Sequence, residues 1–197
     1  MALLPYGCPT KTLSLQGPNG RDNILNYLFG SASAHYMGTC AGMYYASGTY
    51  WWQGEYYGDF YFTPHLYPTV EGPIVAIADY PSYAPTTISL AGSASENSTM
   101  VYYGGPASGL NFTTNKVPGT ILSRYGDIPG GVPASVIHNQ LLLHSPHPEA
   151  VAGVHLECAA PLPPGCITSA QQLINWQWLA GEINAFLGTS WSIPTKL

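Results

Sequence analysis

A cysteine flanked by two glycines is the residue of this chain best suited to covalent chemistry. Cys40 lies in the pattern Gly38-x-Cys40-x-Gly42, between a segment that predicts a short strand and one that predicts a helix. This pattern is typical of a nucleophile elbow, in which small residues allow a sharp turn and leave the nucleophile accessible. The start of the following helix carries partial positive charge, which stabilises a thiolate. The alternative is a buried structural cysteine in a glycine-rich turn.

A histidine and a glutamate two residues apart follow a predicted strand near the middle of the chain's second half. They form the motif His147-Pro148-Glu149. A nucleophilic cysteine needs a base within hydrogen-bond reach, and the base needs a group that orients it. We therefore predict Cys40 as nucleophile, His147 as base and Glu149 as the orienting carboxylate.

The other histidines lack the spacing of metal ligands. His144 and His147 could indicate a metal site, but their position at a strand end favours a triad in which His144 is a bystander. No glycine-rich loop ending in Lys-Ser or Lys-Thr is present, so no phosphate-loop motif is found. We expect neither a metal nor a cofactor.

Short strands and three helices must position these residues. One helix is capped by Asp22 or Asn23, a buried helix covers 43–46, and an amphipathic helix covers 169–187 and ends at Gly188. A hairpin turn is predicted at 137–140, and a long ordered loop with short strands at 48–74. Strands are predicted over 2–5, 35–37, 74–77, 87–90, 100–103, 120–124, 134–138 and 140–144.

Composition excludes several classes of protein. The chain has 197 residues, of which 8% are charged, and five Lys and Arg face ten Asp and Glu for a net charge of −5. This excludes a nucleic-acid partner and a polybasic membrane surface, since both need clustered cations. No apolar run approaches the ~20 residues of a membrane-spanning helix. A 46% hydrophobic content argues against disorder and favours one domain over 1–197.

The cysteines and glycosylation sequons bear on location. Cys158 and Cys166 could form a disulfide, and sequons begin at Asn97 and Asn111. Together with the low charge, they favour a secreted or extracellular protein over a cytoplasmic one.

Aromatic residues cluster after the elbow. Core packing is the favoured interpretation, and a wall over the active site is the alternative. The candidates for a pocket are Tyr44, Tyr45, Tyr103 and Gly104.

Five segments, in order, resemble a known family. They are MGTCAGMYYAS (37–47), VEGPI (70–74), MVYYGGP (100–106), ILSRYGD (121–127) and LLLHSPHPE (141–149). Together they resemble the class I glutamine amidotransferase-like superfamily, and within it the biotin-protein ligase N-terminal domain family. The resemblance covers 1–150 and implies a flavodoxin-like three-layer α/β sandwich with a mostly parallel sheet and a Cys-His-Glu triad. Residues 151–197 add a proline-rich loop and the C-terminal helix.

The chain departs from this family at its start. The family's oxyanion loop has a Pro-Gly-Gly sequence, whereas this chain has Pro5-Tyr6-Gly7, so Gly7 and Ala41 are the expected backbone N–H donors. The match begins at Met1, which indicates N-terminal truncation relative to the family. We expect a missing segment or a partner chain to complete the sheet, since an open edge is a liability.

Two functions of different class follow from these observations. The first is a cysteine-dependent amidohydrolase or amidotransferase that acts on a small glutamine-like amide through a thioester. The second is a catalytically silent binding or regulatory module that retains the elbow. A redox or carbonyl-stress protein is a weaker third hypothesis, because a sensor of that kind would not need the base His147 and the carboxylate Glu149.

Overall fold

The helices and strands are given by a computed structural model that describes residues 2–3, 20–47, 50–52, 55–57, 71–78, 82–90, 97–107, 119–152, 167–192 and 195–196. The helices are α1 (Gly20–Gly30), α2 (Ala41–Ala46) and α3 (Ser169–Leu187). The strands are β1 (Ala2–Leu3), β2 (Tyr36–Thr39), β3 (Tyr50–Trp52), β4 (Glu55–Tyr57), β5 (Glu71–Pro73), β6 (Ala84–Leu90), β7 (Asn97–Tyr102), β8 (Pro106–Ala107), β9 (Thr120–Tyr125), β10 (Pro133–His138) and β11 (Leu141–His144).

A mixed sheet of seven strands in the order β1-β2-β11-β10-β9-β6-β7 forms the centre of this α/β fold. Strand β2 pairs in parallel with β1 and β11. The other four pairings are antiparallel. The prediction of a mostly parallel sheet is therefore wrong. The flavodoxin-like layering and the single-domain assignment stay predictions.

Strands β10 and β11 show why antiparallel pairing prevails. Asn139 and Gln140 join them, and His138 pairs with Leu141. A connection of two residues can only reverse the chain, because parallel neighbours need a much longer crossover. Asn139 adopts a positive φ of 51°, which asparagine tolerates better than most residues. The predicted hairpin is confirmed.

The sheet curls so that its last strand meets the segment after β11. Val101 of the edge strand β7 forms an antiparallel bridge with His147. The His147 N–H donates to the Val101 carbonyl over 2.9 Å. Residues far apart in strand order are thereby brought to one end of the sheet.

Apolar side chains of β11 alternate between two hydrophobic clusters. Leu141 and Leu143 pack with residues of α1 and α2. Leu142 packs with Leu179 of α3. Successive residues of a strand face opposite sides, so the helices cover both faces of β11. Burial of each of these leucines contributes about 1.5–3 kcal/mol.

Helix α3 has a complete set of end signals. The Thr168 side chain accepts from the Gln171 N–H, and the Gln171 side chain accepts from the Thr168 N–H, which forms a capping box. Gly188 ends the helix in the left-handed conformation with φ 63°. The predicted helix over 169–187 is confirmed.

Polar side chains of α3 bind β7 and the segment after β11. Asn175, fully buried, donates to the Thr99 carbonyl over 2.9 Å and accepts from the Ser98 hydroxyl. The Gln172 side chain accepts from the Ala152 N–H over 2.7 Å. These bonds fix the helix on the segments that border His147.

Two predicted elements differ from the structure. Residues 74–77 form a turn closed by the Ile77 N–H and the Ile74 carbonyl, and the strand in that region is β5. Helix α1 begins at Gly20, two residues before the predicted cap Asp22. Continuous apolar runs predict burial well, but they do not separate a strand from a buried turn.

Candidate active site

Cys40 occupies a strained turn between β2 and α2. Its φ of 49° and ψ of −104° lie outside the helical and strand regions. A non-glycine residue with such angles costs about 1–3 kcal/mol and is found most often at functional sites. The Cys40 N–H donates to the His144 carbonyl over 2.7 Å, so the turn is anchored to the end of β11.

The two glycines of the elbow are not equivalent. A Cβ at Gly38 would lie 2.7 Å from the Gly42 carbonyl carbon and from the Tyr36 ring, so no side chain fits there. A Cβ at Gly42 would meet only the Tyr36 hydroxyl, at 3.4 Å, which is ordinary contact. The Tyr36 hydroxyl also donates to the Gly42 carbonyl over 2.7 Å. Gly38 is therefore the glycine that the close packing of strand and helix requires.

Cys40, His147 and Glu149 interact in sequence. His147 Nδ1 lies 2.9 Å from Glu149 Oε1. His147 also interacts electrostatically with Cys40. The parallel strands β2 and β11 end at the same edge of the sheet, which places the elbow beside the His147 loop. The three residues that the sequence predicts as a triad are thus brought together.

The charges within this line act on the ring of His147. Burial alone would lower the pKa of His147, whose side chain is only 4% exposed. The negative charge and hydrogen bond of Cys40, followed by the hydrogen bond and charge of Glu149, outweigh burial and raise that pKa to about 10. Burial raises the pKa of Glu149, but the hydrogen bond and charge of His147 lower it overall. These interactions favour the protonated form of the His147 imidazole beside the Glu149 carboxylate.

The loop after β7 also reaches the cysteine. The Tyr103 carbonyl accepts from Cys40 Sγ over 3.3 Å, and the Gly104 carbonyl accepts from the Tyr44 hydroxyl over 3.0 Å. Gly104 has a positive φ of 68°. A Cβ at Gly105 would lie 2.0 Å from the Ser145 carbonyl, so glycine permits this close approach.

The remaining predicted site residues have different surroundings. Tyr44 and Tyr45 are 1% and 0% exposed and belong to the hydrophobic core, whereas Tyr103 is half-buried and packs 5.5 Å from the Tyr83 ring. Ala41 is the first residue of α2, where backbone N–H groups have no acceptor within the helix. The predicted donor Gly7 and the predicted disulfide of Cys158 and Cys166 lie outside the described residues.

Two tryptophans of α3, Trp176 and Trp178, contact this region. The Trp176 indole N–H donates to the Glu149 carbonyl over 3.3 Å. The Trp178 ring meets the His144 ring edge-on, with centroids 5.6 Å apart. The i, i+2 spacing was the only signal in the sequence, and it does not identify the partner of either ring.

The described residues contain neither a candidate membrane span nor a candidate metal cluster. No helix in these ranges is long and apolar enough to cross a membrane. No group of three or more His, Cys, Asp or Glu side chains in the same ranges could hold a metal ion. The buried atoms Ser123 Oγ, His144 Nε2 and Glu149 Oε2 have no hydrogen-bond partner among the described residues.

The fold and the elbow define an α/β protein with a cysteine at a strand-to-helix turn. No family model matches the chain, and no curated protein matches it either. Among solved structures, one described as the crystal structure of a glutamine amidotransferase is similar, with a TM-score of 0.59 and 17% sequence identity. The similarity covers 95% of this chain and 78% of that chain. At this identity the comparison establishes a related fold alone.

Proposed function

We propose that the chain is a cysteine-dependent amidohydrolase or amidotransferase with Cys40 as nucleophile, His147 as base and Glu149 as the group that orients the base. The carrying observation is the His147–Glu149 hydrogen bond together with the electrostatic interaction between His147 and Cys40, which lies at a strained elbow. The finer resemblance, to biotin-protein ligase N-terminal domains, belongs to the proposal and rests on the five sequence segments. It implies no biotin chemistry for this chain.

The first half of the reaction forms a thioester. In the proposed starting state the proton of the Cys40 thiol resides on His147, and the sulfur attacks the carbonyl carbon of a small glutamine-like amide. The negative charge that develops on the carbonyl oxygen faces the start of α2, where the Ala41 N–H is the natural donor. The carbon–nitrogen bond then breaks, and His147 returns its proton to the leaving nitrogen as ammonia or an amine departs.

The second half releases the acyl group. A water molecule, or an acceptor amine in a transferase, attacks the thioester while His147 takes its proton. The carbon–sulfur bond breaks, the sulfur leaves with the electron pair, and the proton stays on His147, which restores the starting pair. A carboxylic acid or a new amide is the product. Glu149 holds the imidazole ring in one orientation throughout, through Nδ1.

Alkylation of Cys40 by iodoacetamide as a function of pH tests the proposal. Peptide mass spectrometry follows the modified cysteine in the wild-type protein and in His147→Asn. We expect a wild-type rate that reaches a plateau below about pH 7, and a rate in the variant that is at least about tenfold lower at that pH. His35→Asn is the matched control, because His35 packs against Phe186 and makes no contact with the triad among the described residues.

A rate that rises only near the pKa of a free thiol, about 8.5, in both proteins contradicts the proposal. With the expected profile, ammonia release is measured from glutamine first and then from other small amides. Hydroxylamine trapping of a thioester on Cys40 separates covalent catalysis from simple binding.

A silent binding module is the second candidate, and one contact favours it. The Tyr103 carbonyl accepts from Cys40 Sγ, so the thiol has a hydrogen-bond partner outside the proposed triad. If this contact governs the site, Cys40 will be alkylated slowly at every pH below about 8.

A further inference from the structure

A second histidine lies beside the triad without taking part in the proposed chemistry. His144 is the last residue of β11, three residues before His147, and it is fully buried. Its Nδ1 lies 2.9 Å from the Ser135 hydroxyl, directly across from it in the register of β10 and β11. The Trp178 ring covers one side of the imidazole. The ring is therefore held in one place by a strand neighbour and a helix.

The other nitrogen of this ring and the second oxygen of Glu149 are both buried without a partner among the described residues. A buried polar atom without a hydrogen bond costs about 1–3 kcal/mol, so native proteins leave few of them. His144 Nε2 can carry a proton and donate it in a hydrogen bond, whereas the carboxylate oxygen Glu149 Oε2 can only accept. His144 and Glu149 also interact electrostatically, which requires that they lie near each other.

We propose that His144 is a positioning residue for Glu149: the Ser135 hydroxyl donates to Nδ1, and the Nε2–H of His144 donates, through one buried water molecule, to Glu149 Oε2. This inference rests on the proposed function, because it assigns the group that holds the orienting carboxylate. Buried waters typically make two to four hydrogen bonds to such polar groups. The line of polar contacts then extends from Cys40 through His147, Glu149 and His144 to Ser135.

The arrangement explains why the carboxylate keeps one orientation. The Glu149 side chain is 33% exposed, so a carboxylate held only by His147 could rotate toward solvent. A donor on Oε2 holds the second oxygen inside the protein and leaves Oε1 on His147 Nδ1. His144 acts through Glu149 and touches neither the substrate nor Cys40 in this scheme.

Nuclear magnetic resonance of the full chain with ¹⁵N-labelled histidine is the first part of the test. At about pH 7 we expect His144 to be neutral, with its proton on Nε2 and protected from exchange. The spectrum also shows the proton shared by His147 Nδ1 and Glu149 as a low-field resonance. A His144 ring protonated on Nδ1 in the wild-type protein overturns the proposal, whatever the variants do.

Two substitutions form the second part. His144→Phe keeps a flat ring against Trp178 but has no polar atoms, whereas His144→Gln keeps a side-chain N–H donor but loses the ring. We expect His144→Phe to lose the low-field resonance and to lower the Cys40 alkylation plateau about tenfold. We expect His144→Gln to keep the resonance and to stay within about threefold of wild type.

A purely structural role predicts the opposite order, since phenylalanine packs better than glutamine at a buried site. A result in which His144→Phe resembles wild type therefore overturns the inference. Failure of the proposed function has a different signature. In that case wild type and His147→Asn are alkylated alike, while the His144 tautomer and the low-field resonance still decide the positioning role.

Discussion

Two histidines three residues apart have opposite electrostatic surroundings. His144 and His147 are both buried, and both lie within reach of the Glu149 charge. Burial lowers the pKa of His144 to about 4, and the Glu149 charge offsets only part of this effect. The pKa of His147 is raised to about 10, because Cys40 and Glu149 both bind its ring and outweigh burial.

The difference shows that burial alone does not decide whether a histidine is charged. A direct hydrogen bond to Glu149 and the interaction with Cys40 stabilise the imidazolium of His147, whereas the neutral Ser135 hydroxyl gives His144 no such compensation. One ring is suited to hold a proton during chemistry, and the other is suited to stay neutral.

Removal of the cysteine should narrow the difference between the pKa values of the two histidines. In Cys40→Ala, we expect the pKa of His147 to fall by about one to three units, because the variant loses the charge and hydrogen bond of the sulfur. The pKa of His144 should stay near its wild-type value, since burial and the Glu149 charge cause its shift. A ¹⁵N titration of both rings measures the two values in one sample.

Alanine at position 40 also has a Cβ, so the variant keeps the backbone strain of the positive φ. The measured change therefore reports the loss of the thiol alone. Equal shifts in the two histidines would contradict the contrast, because they would mean that both rings respond to the same field.

Stability as a function of pH should separate the two rings as well. The unfolded chain binds a proton on His144 below about pH 6.5, whereas the folded chain binds it only below about pH 4. Stability from this group is therefore present above about pH 6.5 and is lost as the pH falls through that window. The difference between pH 7 and 4.5 amounts to about 2 kcal/mol.

For His147 the dependence of stability on pH has the opposite sign. Its folded pKa is raised, so its contribution is fully present below about pH 6.5 and is lost as the pH rises toward 10. Urea unfolding of wild type and His144→Gln between about pH 4.5 and 7 isolates His144, since the other groups contribute equally to both proteins. Parallel loss of stability in the two proteins would contradict a lowered pKa for His144.

The residues of the proposed triad could be singled out from the sequence because their signals are local. The turn needs a small residue at Gly38, Cys40 follows two residues later, and His147 and Glu149 are separated by a single proline. Each motif lies at the end of a strand whose apolar sequence marks it as buried. The parallel pairing of β2 and β11 then brings the two motifs together.

The strand pairing and the surroundings of the site depend on contacts that local sequence patterns do not specify. Strand patterns do not name the pairing partner, so a mostly parallel sheet was predicted where four of six pairings are antiparallel. The bridge from Val101 to His147 arises from the curl of the whole sheet. His144 looked like a bystander, because its contact with Ser135 depends on the register of two strands.

The two tryptophans of α3 offer the smallest and most selective perturbation. Trp176→Phe removes the indole N–H that binds the Glu149 carbonyl, and a single hydrogen bond of this kind contributes about 0.5–1.5 kcal/mol. We expect a small change at Glu149 and His147, with His144 unaffected. Trp178→Leu instead removes the ring that packs edge-on against His144.

That second substitution should admit water around His144 and raise its pKa toward 6.5, while the low-field proton of His147 is retained. Both variants are compared with wild type by ¹⁵N titration of the histidines. Because the two side chains lie on the same helix, general damage to α3 would disturb both histidines in both variants. A separate response of each ring therefore indicates that the helix supports two independent sites: the backbone of Glu149 through Trp176, and the neutral imidazole of His144 through Trp178.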